Sequence, residues 1–302
     1  MKFGKLEDIS RVDFSLPPEN GASAQLSGQS AREQFKAFVG CPRWSSPEWV
    51  GRLYPKGAPQ GQYLYYYSRS FNGIELNSTH YRIPTRELVF KWRISTPSGF
   101  HFSPKIPQSI SHYGKLSVGG NELTRFLEAI EGFEDRLGCS FVQLHPSFGP
   151  DWFNNLVLFL QAWPQEFPLA IEFRHPDWFD HHRLTPRLEV LLRKHQVTAL
   201  VTDVAGRRDV LHQSLTTDTL MLRLVGNSLH PTDYQRADDW LDRIEHWVDH
   251  GLKTLYLFPH EPGDGQAADF GEYIIRQLNE RFNLKLPIPQ LPQVPGSQLG
   301  LF

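Results

Sequence analysis

Three pairs of polar residues stand two positions apart at the ends of short apolar runs: Glu75 and Asn77, Gln143 and His145, Glu172 and Arg174. Lys105, Asp203, Arg223 and His260-Glu261 close other runs of the same kind. Residues two apart on a strand share a face, so each pair points one way. Arginine pairs bidentately with phosphate or carboxylate, and lysine supplies a compact point charge. Three carboxylates (Glu75, Glu172, Asp203) beside three cations (Lys105, Arg174, Arg223) predict a mouth for a small anion. The chemistry expected there is hydrolysis, of a phosphoester above all. Glu75 or Glu172 acts as general base, Arg174 and Arg223 hold the anion, and Lys105 stabilises developing charge. A second expectation makes Lys105 a Schiff-base nucleophile of aldolase type. A third is a non-catalytic module that binds an anion or a partner. The competing structural reading is a closed ion-pair network, with Glu172 bound to Arg174 or Arg223 and Glu75 to Lys105.

Residues this far apart in sequence need a scaffold that gathers strand ends. The apolar runs are 37–41, 73–77, 100–105, 140–145, 169–174, 198–203, 220–225 and 254–259. Stretches with helical spacing separate most of them. In 121–137, for example, apolar residues fall at 123, 126, 127, 130, 133 and 137. Similar spacing predicts helices over 152–163, 184–195, 240–250 and 267–282, while 204–219 has room only for a short one. Alternating strands and helices imply parallel pairing, and eight such units predict a (β/α)8 TIM-type barrel. A doubly wound open sheet is the alternative, but no strand leads into a glycine-rich dinucleotide fingerprint or a P-loop. Residues 1–34 read as a polar N-terminal arm, 35–286 as the barrel domain and 287–302 as a proline-rich tail.

Composition narrows the partners. With 302 residues, 40% hydrophobic and 21% charged, the chain carries a sizeable core. A net charge of −2 argues against direct coating of nucleic acid. No apolar run approaches the ~20 residues of a membrane helix. Cys41 and Cys139 are the only cysteines and no leader-like segment stands out, so reduced thiols in the cytoplasm are expected. No HxH, HExxH or CxxC spacing marks a metal site. If a divalent metal were recruited, Glu75, Glu172, Asp203 and His260 would be its donors, by fold-level analogy with metal-dependent barrel endonucleases. His181-His182 reads as a solvated turn.

The segments IELNSTHY, FHFSPKIPQSISH, FVQLHPSF, AIEFRHPDW, VTD and LRLVG, in this order, resemble the YecE-like family, or domain of unknown function seventy-two. The resemblance runs from about Phe38 to Asn279. It implies a TIM-type barrel and brings no settled activity. The family pattern falls here on Glu75, Asn77, Ser78, Thr79, Tyr81, Lys105, Pro107, His112, Gln143, Glu172, Arg174, Trp178, Asp203 and Arg223. Of these, Asn77, Tyr81, His112, Gln143, Arg174, Trp178 and Arg223 are expected to bind substrate. The chain departs from the pattern at His80, at Val225-Gly226 and at Phe258-Pro259-His260, which points to a different substrate or weaker activity.

The last five residues, QLGLF, resemble the bacterial sliding-clamp-binding motif at every fixed position. Gln298 would hydrogen-bond at a pocket rim while Leu299, Leu301 and Phe302 fill an apolar groove. The expected partner is the DNA polymerase sliding clamp, with the proline-rich strap as spacer.

Overall fold

A computed structural model describes residues 4–19, 21, 26 and 28–291; the expected clamp-binding residues Gln298, Leu299, Leu301 and Phe302 lie outside them. Strands form at every expected run. They are β1 (Lys36–Val39), β2 (Gly73–Leu76), β3 (His101–Pro104), β4 (Ser140–Gln143) and β5 (Leu169–Glu172). A short antiparallel hairpin that the pattern did not announce follows, β6 (Phe179–Asp180) and β7 (Arg183–Leu184). Its turn is His181-His182, both at positive φ (44° and 60°). The run expected over 198–203 is split into β8 (Thr198–Ala199) and β9 (Val201–Asp203); β10 (Thr219–Val225) and β11 (Thr254–His260) complete the set.

The helices are α1 (Tyr63–Tyr67), α2 (Ser78–Tyr81), α3 (Arg86–Ser95), α4 (Glu122–Ile130), α5 (Phe153–Ala162), α6 (Pro186–Lys194), α7 (Pro231–Asp249) and α8 (Asp264–Phe282). Helix α7 starts well before the expected residue 240. Pro231 occupies its first turn, where a missing N–H costs nothing, and His230 and Asp233 form a capping box ahead of the apolar face. Between β9 and β10 there is only the 3-10 turn Arg208–Val210.

All strand pairs outside the hairpin are parallel. One sheet runs β1-β11-β10-β9, another β4-β5-β8, and β2 pairs with β3. A single bridge, Lys105 to Phe141, joins the end of β3 to β4. These pairings give a mixed α/β fold with several parallel sheets and stop short of the full (β/α)8 barrel expected.

One residue phase of the strands (Val39, Val142, Ile171, Val201, Leu222, Leu257) joins the large core shared with the helices. The other phase makes a second apolar cluster of Phe38, Cys139, Phe141, Ala170, Leu200, Met221, Tyr256 and Phe258. Two residues further along the same phase come Gln143, Glu172, Thr202, Arg223 and His260. The candidate chemistry is therefore seated directly above an apolar plug.

Between β1 and β2, side chains do much of the stitching. Asn72 accepts from Val39 N–H at 2.9 Å and donates to the Ala37 carbonyl at 2.7 Å, as a neighbouring strand would. The Tyr67 hydroxyl accepts from Cys41 N–H at 2.7 Å and donates to the Gly73 carbonyl at 3.0 Å. Gly40 is required here, because a Cβ would stand 1.8 Å from the Gly73 carbonyl oxygen. The N-terminal arm is tied to the loop after β9. Gly206 N–H donates to the Gly4 carbonyl at 2.8 Å, and Arg208 donates to the carbonyls of Phe14 and Ser15. Among the described residues no helix is long and apolar enough to cross a membrane.

Candidate functional site

The strand ends carry one continuous polar network. Arg223 on β10 stands between the two carboxylates. Its Nε and Nη2 donate to Glu75 at 2.9 and 3.2 Å, and its Nη1 donates to Glu172 at 2.8 Å. Glu75 also accepts from Asn77 at 2.9 Å and pairs with His260 Nε2 at 2.8 Å. Glu172 also accepts from Arg174 Nε at 2.6 Å and from Gln143 Nε2 at 2.8 Å. The Gln143 carbonyl oxygen in turn accepts from Lys105 Nζ at 2.9 Å. Glu172 pairs with both Arg174 and Arg223, the partners expected for it, but Glu75 is bound by Arg223, and no carboxylate among the described residues lies within ion-pair distance of Lys105.

Burial pushes both carboxyl groups up, and their cations more than offset it. Arg223 and His260 hold Glu75 well below the usual carboxylate range, and Arg174 and Arg223 hold Glu172 at about 2. Lys105 moves the other way. Burial, reinforced by Arg223, brings its ammonium down to about 8 despite Glu75 and Glu172. Two carboxylates against Lys105, Arg174 and Arg223 leave the cluster one positive charge in excess.

Above this network opens a cavity of about 640 Å³ lined by Lys105, Arg174, Arg223 and Gln143. Glu75 and Glu172 are not among the lining residues; they lie fully buried behind the cations. His80, His112 and His145 line one wall in successive edge-on contacts, with ring centroids 5.0 and 5.6 Å apart. The Ile106 carbonyl can only accept, so His80 is protonated on Nδ1 (2.8 Å). Ser111 donates to the Pro107 carbonyl, so His112 also carries its proton on Nδ1, donating to Ser111 Oγ at 2.9 Å. Burial and the neighbouring His80, Lys105, His145 and Arg174 hold His112 at about 4, leaving Nε2 bare near neutral pH. Tyr81 and Tyr113, 73% and 77% exposed, stand at the rim.

Three expected roles need correction. Asp203 lies in the strand phase that faces the helices. Its carboxylate accepts from Arg208 at 2.5 Å, Arg236 at 3.0 Å and Trp240 Nε1 at 2.8 Å, away from the mouth. Trp178 is buried against Phe148, Phe153 and Phe173, donates to the Phe148 carbonyl at 2.6 Å, and does not line the cavity. The conditional metal donors do not fit a metal. Arg223 sits between Glu75 and Glu172, all four of their oxygens already accept N–H groups, and Asp203 is elsewhere. Among the described residues no group of three or more His, Cys, Asp or Glu is placed to hold a metal ion. Sequence reasoning missed Thr202, which lines the cavity with a buried hydroxyl that has no hydrogen-bond partner. Its phase, two residues after Leu200, was the available signal.

The model of the family described as "Protein of unknown function DUF72" matches residues 38–294. The UPF0759 protein YecE from two strains of Escherichia coli is 30% identical over 278 residues, spanning 85% of this chain and 97% of the relative. Two crystal structures of a DUF72 family protein from Enterococcus faecalis share the fold. Their TM-scores are 0.63 and 0.61 at 18% and 16% identity, covering 83% and 86% of this chain and 99% and 100% of theirs.

Proposed function

The chain belongs to the DUF72 family, and from that premise we infer a cytoplasmic barrel protein that binds a small anion at its strand ends and hydrolyses a phosphoester there. The family description carries no activity, so the reading rests on the mouth. Closure into a full (β/α)8 barrel is supported by the second apolar cluster, which joins one residue phase of the β1-β11-β10-β9 and β4-β5-β8 sheets, by the stacking of His101 of β3 on Phe38, and by the side-chain stitching of β1 to β2.

One observation carries the anion reading: the cations line the cavity, the carboxylates lie behind them, and Lys105 has no carboxylate partner. An incoming phosphate would meet Lys105 and Arg174, with Arg223 held rigid by Glu75 and Glu172. Glu75 and Glu172 lie behind the cations with every oxygen already accepting, so neither reaches a water in the cavity. His112 is the group we assign to take a proton from the attacking water and return it to the departing alkoxide as the phosphorus–oxygen ester bond breaks. Titration calorimetry with inorganic phosphate, together with p-nitrophenyl phosphate turnover, tests this. Binding at least tenfold weaker in Lys105→Met, and turnover lost in His112→Ala, is the expected result; a wild type that binds no phosphate overturns it.

A second reading, Schiff-base chemistry at Lys105, is favoured by its lowered pKa of about 8, which supplies free amine near neutral pH. Borohydride trapping of a carbonyl compound on Lys105 would select it over hydrolysis. The C-terminal pentapeptide adds recruitment to the sliding clamp to either reading.

A further inference from the structure

His260 ends β11 and lines the mouth, with its Nε2 2.8 Å from Glu75 Oε2. Its backbone pairs in register with Val225 of β10, and its carbonyl accepts from Gly226 N–H at 2.7 Å. Arg223 Nε donates to the same carboxylate oxygen, so the imidazole and the guanidinium are neighbours. A carboxylate held ionised by Arg223 can only accept, so the proton between Glu75 and His260 sits on Nε2. Nδ1 is then the working nitrogen, and among the described residues it has no hydrogen-bond partner. The His260 side chain is 18% exposed while that of Glu75 is sealed at 0%, so of the two only the imidazole can meet a ligand. A buried carboxylate behind an imidazole fixes its orientation and stabilises the imidazolium of a proton transfer. His112 stands elsewhere, in the turn Ser109–Tyr113 after β3, where its ring contacts are with His80 and His145. In a displacement at phosphorus the attacking and leaving oxygens lie roughly in line, on opposite sides. One imidazole reaches only one of them in a single step, so the return of the proton taken by His112 needs a second carrier.

We propose that His260 is that carrier, a second catalytic residue that protonates the departing alkoxide from Nδ1 with Glu75 behind it. The inference rests on the hydrolytic reading of the mouth. The water oxygen bonds to phosphorus as its proton goes to His112 Nε2. The ester phosphorus–oxygen bond breaks as the Nδ1 proton of His260 goes to the leaving oxygen, which departs as an alcohol. His260 is left neutral with its Nε2 proton still on Glu75, and the proton on His112 then passes through solvent to His260 and restores both rings. Before the step, four cations (Lys105, Arg174, Arg223 and His260) face two carboxylates, and the excess of two matches a phosphomonoester dianion. Leaving-group dependence in the full chain tests the assignment, with p-nitrophenyl phosphate, whose phenolate leaves without a proton, against phenyl phosphate, whose phenolate needs one. His260→Gln keeps a donor for Glu75 and removes the proton carrier. Its kcat is expected to fall about a hundredfold further on phenyl phosphate than on p-nitrophenyl phosphate, with phosphate affinity by calorimetry kept. Equal losses on the two esters, or a loss matched by weaker phosphate binding, overturn the role of His260 and leave the mouth reading standing. Wild type alone gives a second measure that needs no variant: across substituted phenyl phosphates, log kcat should depend only weakly on leaving-group pKa, and a steep dependence overturns the proposal. A wild type that hydrolyses none of these esters overturns the hydrolytic reading and the proposal with it.

Discussion

Lys105 is the residue whose chemistry is easiest to read in solution. Its ammonium is charged below about 8, so anion affinity should be flat below that pH and fall as pH rises through it. Lys105→Arg should remove the fall, and a wild-type profile level to pH 10 would contradict the assignment. The same lowered pKa means that the unfolded chain holds a proton the folded one has lost between about 8 and 10.5, so folding pays for keeping the charge at neutral pH. Lys105→Met should therefore raise Tm by a few degrees. Glu75→Gln should do the opposite. It leaves the buried Arg223 with only half its counter-charge, at a cost of about 3–5 kcal/mol in denaturant unfolding. Because Glu75 and Glu172 titrate below their unfolded value, their stabilisation is complete above about 4.5 and is lost as pH falls towards 2. An unchanged midpoint for Glu75→Gln would show that the pair is not structural. Most of this cluster was legible because Gln143, Glu172, Arg174 and Arg223 follow apolar residues in a regular two-residue phase. Asp203 misled because it was picked as the last residue of its run; by phase it belongs with Val201, and the mouth residue is Thr202, whose small hydroxyl gives no chemical signal.

At the level of elements, the strands were legible from alternation and the helices from their apolar spacing. What alternation cannot show is how neighbouring strands are joined. The β1–β2 seam depends on Asn72 and Tyr67, two residues that lie outside the strands they connect. Tyr67→Phe strips the partner from Cys41 N–H and the Gly73 carbonyl, both buried. It should cost about 1–3 kcal/mol and speed amide exchange at Cys41. Exchange at wild-type rate would mean the hydroxyl is dispensable there. The β6–β7 hairpin escaped detection for a related reason: the turn at His181-His182 was expected, but the two-residue strands that flank it carry no periodicity. The early start of α7 was hidden because His230 is an unusual cap; the Pro231 beside it was the usable sign.

For the whole molecule, the order of the strand-end segments located the family before any geometry did, while the docking of the arm on the loop after β9 was invisible, because arm residues 4–19 have no pattern of their own. Recruitment through the C-terminus is testable apart from the barrel. A fluorescent peptide of residues 287–302 should bind the purified sliding clamp of the same organism, and replacing Gln298, Leu301 and Phe302 by alanine should abolish binding; equal affinity of the two peptides would dispose of the idea. One feature of the sheet reaches beyond the finished structure. β1 takes its ladder partner from β11, pairing Lys36 with Thr254 and Val39 with Leu257. During synthesis the N-terminal strand therefore waits, with its β11-facing edge unpaired, until nearly the whole chain has emerged from the ribosome. Contacts of such long sequence separation slow folding and leave strand edges open to wrong partners. Ribosome-stalled chains ending before Thr254 should accordingly remain protease-sensitive at Lys36–Val39 and engage chaperones, and protection should appear only once β11 is free of the exit tunnel; early protection would mean that the N-terminal half folds without its last strand.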